Sequence, residues 1–260
     1  MKVLVTGASG TLGRAVVPRL RAAGLDIRGM SRRPRPAADG VEWVVADLAA
    51  GTGVDLAVTG VDAVVHLASA TKSMSARVDV AGTRRLVTDA AEAGLRHLLY
   101  VSIVGIDQVP LRYYRLKLAA EQVVTAGKVP WSILRATQFP QLLDQMLGAA
   151  SRLGPVLGDR ALLAQPVDPR DVAGRIADRL AAGPSQTIEE YGGPQVLRYD
   201  EAARAWLTAR NRRRPVLSIR FPGTFGRTVR AGALTTTAAP TGTLTWADYL
   251  ADTYGGSAGK

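Results

Sequence analysis

The sequence predicts an α/β fold, a doubly wound parallel sheet with a small C-terminal lobe for a substrate. Two features carry that expectation. Short apolar, β-branched runs alternate with helix-patterned segments through residue 136, the rhythm of βαβ units. The runs are also apolar throughout rather than at every second residue, as strands covered on both faces are.

The elements follow in order. "KVLVT" (2–6) is a buried strand, and "TLGRAVVPRLRAAG" (11–24) is a helix with Leu12, Val16 and Leu20 on one face and Gly24 as its stop. "DIRGMSR" (26–32), "VEWVVADL" (41–48) and "VDAVVHLA" (61–68) are the next strands. A helix is expected over 76–93, closed by Gly94, then a strand "RHLLYVSIVG" (96–105), a helix over 111–126 between Pro110 and Gly127, and a strand "VPWSILRA" (129–136). Beyond residue 137 the rhythm loosens. Helices are expected over 168–183 and 199–211 with a strand at 186–193, and the tail "GGSAGK" reads as disordered. The expected division is 1–150 for a nucleotide and 151–260 for a smaller substrate-binding lobe on the same sheet.

Composition narrows the function classes. With 260 residues, 47% hydrophobic and 21% charged, the chain has an ordinary globular make-up. It lacks any run of roughly 18 apolar residues, so no spanning helix is expected. A strand beginning at Lys2 leaves no room for a targeting segment, which points to the cytoplasm. Zero cysteines exclude disulfides and thiolate chemistry. The net charge of +11 is mostly arginine, 28 of 33 basic residues, scattered along the chain. The densest clusters, "SRRPRP" and "NRRRP", have no interleaved aromatics for stacking bases, so nucleic acid is not an expected partner. The chain is taken as a monomer or homodimer.

The first βα turn carries the chemistry. "VTGASGTLG" places Gly7, Gly10 and Gly13 after a strand and at the mouth of a helix. The first glycine suits a tight turn, the second lets a pyrophosphate approach the backbone, and the third allows close helix–strand packing. Thr6, Ser9, Thr11 and Leu12 complete that turn, a Rossmann-type dinucleotide site. An acidic residue at the end of the second strand would favour NAD. Here Ser31, Arg32 and Arg33 stand there, a hydroxyl and two guanidinium groups suited to a 2′-phosphate, so NADP (NADPH) is the expected cofactor.

These motifs resemble the extended and atypical short-chain dehydrogenase/reductases, and their NmrA-like subgroup, over nearly the whole chain. "ADL" (46–48) resembles the family's segment after the third strand and implies Asp47 and Leu48 beside the adenine. "VVHLAS" (64–69) implies Leu67, Ala68 and Ser69 along the cofactor. "VDVAGTRRLV" (78–87) is similar to a family helix, with Asp79 where that pattern has Asn. "SILRATQF", "GGPQVL" and "TWADYLAD" look like the subgroup.

The resemblance implies a Ser–Tyr–Lys site, matched by Ser102, Tyr113 and Lys117. Tyr113 and Lys117 are four apart and share a helix face. The expectation is that the Lys117 ammonium lowers the Tyr113 pKa and holds the nicotinamide ribose, and that Ser102 donates to the substrate oxygen. Tyr114 is a rival for the active tyrosine. The implied activity is NADPH-dependent reduction of a carbonyl or conjugated double bond. The expected pocket walls, Ser69–Thr71, Ile103–Leu111 and Thr137–Leu142 with the C-terminal lobe, are mostly apolar and suit an uncharged or aromatic small molecule. Two alternatives stay open: a non-catalytic NADP(H)-binding redox sensor, and a sugar-type epimerase with tightly bound cofactor. NmrA-like regulators tend to lack the Tyr-x-x-x-Lys pair, so its retention favours an enzyme.

His66 reads as core packing and His97 as a surface residue. Glu189 and Glu190 point to opposite faces of one strand and form no dyad. One test concerns the nucleotide: Arg32→Ala weakens NADPH roughly tenfold or more and leaves NADH nearly unchanged in paired binding titrations. Equal losses sink the 2′-phosphate assignment.

Overall fold

The computed structural model describes residues 1–36, 40–70, 76–152 and 154–255. Thr71 of the expected pocket wall, and the expected disordered tail from residue 256, lie outside them. In chain order the elements are β1 (Lys2–Thr6), α1 (Gly13–Ala22), β2 (Asp26–Ser31), β3 (Val41–Val45), α2 (Val54–Val58) and β4 (Ala63–His66). A π-helical turn (Ala76–Gly82) leads into α3 (Thr83–Glu92), followed by β5 (His97–Ile103), α4 (Arg112–Thr125) and β6 (Trp131–Ala136). Then come α5 (Pro140–Ala150), β7 (Val156–Gly158), β8 (Leu163–Ala164), α6 (Pro169–Ala182), β9 (Ile188–Tyr191), β10 (Leu197–Arg198), α7 (Tyr199–Ala209), β11 (Val216–Ser218), α8 (Gly223–Arg230) and α9 (Trp246–Tyr254).

The chain divides into two compact units that alternate along it. The first is Met1–Ser102, Arg112–Arg135 and Val172–Glu189; the second is Ile103–Leu111, Ala136–Asp171 and Glu190–Lys260.

The first unit is built on a seven-stranded sheet in the order β3-β2-β1-β4-β5-β6-β9. The β1–β2, β1–β4, β2–β3 and β4–β5 pairings are parallel. Bonds from Ile133 N to Thr187 O and from Thr137 N to Tyr191 O advance in step, so β9 runs parallel to β6 as well. β1 and β4 are buried along nearly their whole length, which is why their sequences show no alternation. Strand order reverses between β1 and β4, and in open α/β sheets ligands bind beyond the strand ends at such a point.

Most predicted boundaries fall within two or three residues of the observed ones. The stops act as expected: Gly24 and Gly94 have φ of 77° and 71°, the left-handed conformation that closes a helix. Two expectations are corrected. The segment 76–93 is not one helix, because its first seven residues form the π turn. His97 is buried rather than on the surface, with Nε2 3.0 Å from Ser132 Oγ.

α4 is pinned to the sheet by a buried ion pair. Arg135 on β6 donates to both oxygens of Glu121, from Nε at 2.9 Å and from Nη2 at 2.7 Å, with both residues buried. In the second unit Asp144 on α5 accepts from Trp206 Nε1, Tyr249 OH and Tyr254 OH, tying α5 to α7 and α9. The "TWADYLAD" segment forms α9, whose start is capped reciprocally by Thr245 and Asp248.

Removing one partner of a desolvated pair leaves an uncompensated charge inside. Glu121→Ala therefore destabilises the protein by about 3–5 kcal/mol, and the double change Glu121→Leu with Arg135→Met recovers most of that. Urea unfolding of the three proteins checks it. A double variant as weak as the single one would show that the loss is not an unpaired charge.

Candidate functional site

Steric demand explains two of the three glycines. Gly7 has φ of 66°, and a Cβ there would lie 2.9 Å from Ala68 N. A Cβ on Gly13 would lie 2.3 Å from Gly7 O, so α1 can start against the turn only with glycine. Gly10 differs. It is exposed with ordinary φ, and an added Cβ meets only Gly7 O at 3.2 Å. Its openness suits a backbone that a ligand approaches. α1 also begins without a side-chain cap and without an acidic residue in its first turn, leaving its positive end for an anion. The turn fits a dinucleotide pyrophosphate.

Beside Ser9 a cavity of about 500 Å³ is lined by Arg14, Arg35 and Trp43, among others. The Trp43 ring lies over Gly29 of β2, where a Cβ would come within 2.7 Å of it, so the strand needs glycine there. Arg35 stacks on the Trp43 ring, its guanidinium 4.8 Å from the ring centre. Ser31 Oγ accepts from Arg33 N at 3.4 Å and Arg35 Nε at 3.3 Å. Arg32 and Arg33 are exposed. Arg14 and Arg35 are thus cations of this corner that the sequence reading missed. The "RRPR" spacing was the available signal for Arg35.

Asp47 Oδ1 accepts from Ala49 N at 2.7 Å, holding the turn after β3, and Leu48 packs in the core with its Cβ near Gly82. Leu67 and Ala68, at the end of β4, donate their N–H groups to Thr6 Oγ1 at 3.2 and 3.1 Å. Thr6 is fully buried, so it shapes the turn and does not face a ligand with its side chain. His66 is core, as expected, but it is also a hydrogen-bond link. The Thr83 hydroxyl donates to Asp79 O at 2.7 Å, so His66 Nε2 donates to Thr83 Oγ1 and Nδ1 accepts from Thr6. Burial and the nearby Lys117 hold the His66 pKa down at about 3, which keeps it neutral.

Tyr113, Ser69 and Asp79 come together. Ser69 Oγ donates to Asp79 Oδ1 at 2.6 Å and lies 2.7 Å from Tyr113 OH, and Ala70 N donates to Asp79 Oδ2 at 3.1 Å. Asp79 sits in the π turn, an irregularity frequent at functional sites. Lys117, one turn after Tyr113, is buried at 3% exposure. Its Nζ donates to Val101 O at 3.0 Å and lies 4.2 Å over the Tyr100 ring. Tyr114 is half-buried with its ring 6.1 Å from that of Tyr113. Ser102 is buried, and its hydroxyl has no hydrogen-bond partner among the described residues. The Tyr113 hydroxyl is bonded to Ser69, which the sequence places along the cofactor, and Asp79 stands out in the sequence only as a departure from a family pattern.

The expected lowering of the Tyr113 pKa is corrected. Burial pushes it up, the bond to Ser69 offsets part of that, and the Asp79 charge raises it further. Lys117 does not relieve it because its ammonium is turned to Val101 and Tyr100.

Burial brings the Lys117 pKa down to about 8, opposed by Asp79 and Glu121. A base with a depressed native pKa binds fewer protons folded than unfolded between about 8 and 10.5, so stability rises with pH across that window. Lys117→Met removes the rise. At neutral pH it stabilises by no more than about 3 kcal/mol, because Asp79 loses its counter-charge. Parallel stability–pH curves for the two proteins would contradict the assignment.

The NAD(P)H-binding family matches residues 7–180. A Streptomyces griseus protein, (4-alkanoyl-5-oxo-2,5-dihydrofuran-3-yl)methyl phosphate reductase, is 32% identical over 204 residues, 75% of this chain and 69% of that protein. Divinyl chlorophyllide a 8-vinyl-reductase of Oryza sativa is 31% identical over 220 residues, 74% of this chain and 54% of that protein. The fold matches the Escherichia coli NADPH-dependent quinone oxidoreductase QOR2 complexed with NADPH at a TM-score of 0.82 and 18% identity, covering 97% of this chain and 99% of that one. Among the described residues no helix is long and apolar enough to cross a membrane. With its glycine turn, parallel Rossmann-like sheet and reductase relatives, the chain belongs to the NAD(P)H-binding family.

Proposed function

We propose that the protein is an NADPH-dependent reductase that adds hydride to a carbonyl carbon or a conjugated double bond of a small uncharged or aromatic substrate. One observation carries this reading: Tyr113 and Lys117 are not a solvated pair on a helix face. The hydroxyl of one is held by Ser69, and the ammonium of the other is buried one turn deeper.

Bound at the glycine turn, the reduced nicotinamide supplies the hydride. The protein's share is proton delivery and charge. Tyr113 gives its proton to the oxyanion or enolate that forms, a contribution of roughly 10²–10⁴ in rate. Lys117 has three N–H donors, of which Val101 takes one, so two remain for ribose hydroxyls. Ser102 offers an unpartnered buried hydroxyl, which a substrate oxygen would satisfy. Ser31, Arg32, Arg33 and Arg35 favour a 2′-phosphate and hence NADPH. The name of the Streptomyces relative's substrate describes an alkanoyl-substituted unsaturated lactone, a double bond flanked by carbonyls, which supports the conjugated-bond option.

The test follows NADPH oxidation with an acyl-butenolide, a para-quinone and an aromatic aldehyde, for the native protein and Tyr113→Phe. Turnover with at least one, lost by about 10²-fold or more in Tyr113→Phe, is the expected result. No turnover with any, together with unequal binding of NADPH and NADP, replaces the reductase by a nucleotide sensor. Nicotinamide that copurifies and never exchanges would point to an epimerase.

A further inference from the structure

We propose that Asp79 is a positioning residue that sets, through the hydroxyl of Ser69, the direction in which Tyr113 presents its proton. The inference rests on the reading of Tyr113 as the acid, and it follows from counting hydrogens. An ionised carboxylate only accepts. Asp79 Oδ2 takes Ala70 N–H, and Oδ1 takes the single hydrogen of Ser69. Ser69 has none left, so in the 2.7 Å bond to Tyr113 the phenol is the donor. The Tyr113 proton is then committed to Ser69 and withheld from a substrate.

Protonating Asp79 reverses the line. The Ala70 amide can only donate, so Oδ2 stays an acceptor and the new proton sits on Oδ1. It is donated to Ser69, Ser69 donates to Tyr113, and the Tyr113 proton is free for the substrate oxygen. In one turnover the carbon takes a hydride from reduced nicotinamide, and Tyr113 passes its proton to the oxygen. Ser69 passes its proton to Tyr113, and Asp79 passes one to Ser69. The result is a carboxylate and one reduced product. Ser69 is exposed, and water returns one proton there.

Other groups around Asp79 fix the setting. From α4 it faces Lys117 and Tyr113; from β5 it is near Tyr100, and Glu121 lies beyond Lys117, paired with Arg135. The Thr83 hydroxyl, with neutral His66 behind it, bonds the Asp79 backbone and leaves the carboxyl alone. Burial lifts the Asp79 pKa above 3.8, against the bond from Ser69 and the charge of Lys117. The reversal therefore lies in an interval above 3.8, the ordinary aspartate value.

The experiment has two readouts. The first needs no cofactor: ultraviolet titration of Tyr113, taken as the difference between each protein and its Tyr113→Phe counterpart. Asp79→Asn lowers the Tyr113 midpoint, because a raising charge is gone and Ser69 can then donate to the phenolate, and Ser69→Ala shifts it, because the bond to Ser69 is gone. The second is the rate of NADPH oxidation against pH with whichever probe turns over. The native rate falls as pH rises through the interval, approaching about tenfold per unit. In Asp79→Asn that decline is absent, because the amide oxygen stays on Ala70 N and the NH₂ donates to Ser69 at every pH. The decline from Lys117 remains and moves to lower pH, because the Asp79 charge that raises the Lys117 pKa is gone.

An Asp79→Asn protein whose Tyr113 midpoint is unmoved overturns the proposal, whether or not any probe is reduced. So does one that keeps the native decline. If Asp79→Asn does not fold, the Ser69→Ala protein decides, since a Tyr113 midpoint left in place there breaks the line as surely. A native protein inactive with every probe refutes the reductase reading alone.

Discussion

The ammonium of Lys117 lies inside the layer between sheet and helices, and much of the site follows from what it takes to keep it there. A buried cation needs hydrogen-bond acceptors and opposite charge. It has the Val101 carbonyl, the face of Tyr100, and the electrostatic reach of Asp79 and Glu121. Glu121 in turn is held by Arg135 on β6. Tyr113, Lys117 and Glu121 are spaced by four, so they form one stripe along α4. The deepest of the three is locked to the sheet, the middle one is desolvated, and the first is half-buried with its hydroxyl on exposed Ser69. Fixing the floor of the stripe fixes the position of its mouth.

A second set of bonds joins the glycine turn to that mouth. Thr6, at the end of β1, holds the backbone of Leu67 and Ala68 and reaches His66; His66 reaches Thr83, and Thr83 reaches the backbone of Asp79. Thr6, His66, Thr83 and Asp79 are buried, so the bonds among them count for more than they would in water. The close approach of Gly7 to Ala68 brings the ends of β1 and β4 together at the point where strand order reverses. The turn that suits phosphates and the backbone of Asp79, whose carboxylate bonds Ser69, are thus ends of one hydrogen-bonded line.

What could be read from the sequence is what depends on near neighbours along the chain. The glycines of the first turn answer to contacts among residues 7–13 and to one strand end, and their spacing shows it. Tyr113 and Lys117 share a helix, so their common face was legible. The sign of the Tyr113 shift was not, because spacing says that two side chains are near each other and not which way an ammonium points. Ser69 meets Tyr113 across 44 positions, and nothing local announces it. The π turn was hidden because 76–82 has a helical pattern and differs only in how the turns close. His97 looked like a surface residue since its burial comes from Ser132, on another strand. The two units alternate along the chain because strands and helices return to each in turn, and a single boundary cannot be seen in such an order.

The charges of the site also balance. Lys117 and Arg135 carry one positive charge each, and ionised Asp79 and Glu121 one negative charge each, so the buried set is neutral. Neutral sets tolerate desolvation better than lone ions, since each charge sees its opposite in a medium that screens little. Two of the four are locked in a bidentate pair and have little freedom to change. The other two are held by single bonds to a carbonyl, an amide and a hydroxyl, contacts that survive the gain or loss of one proton. On the proposed reading, proton movement falls to Asp79 and Lys117, while Glu121 and Arg135 keep α4 in place.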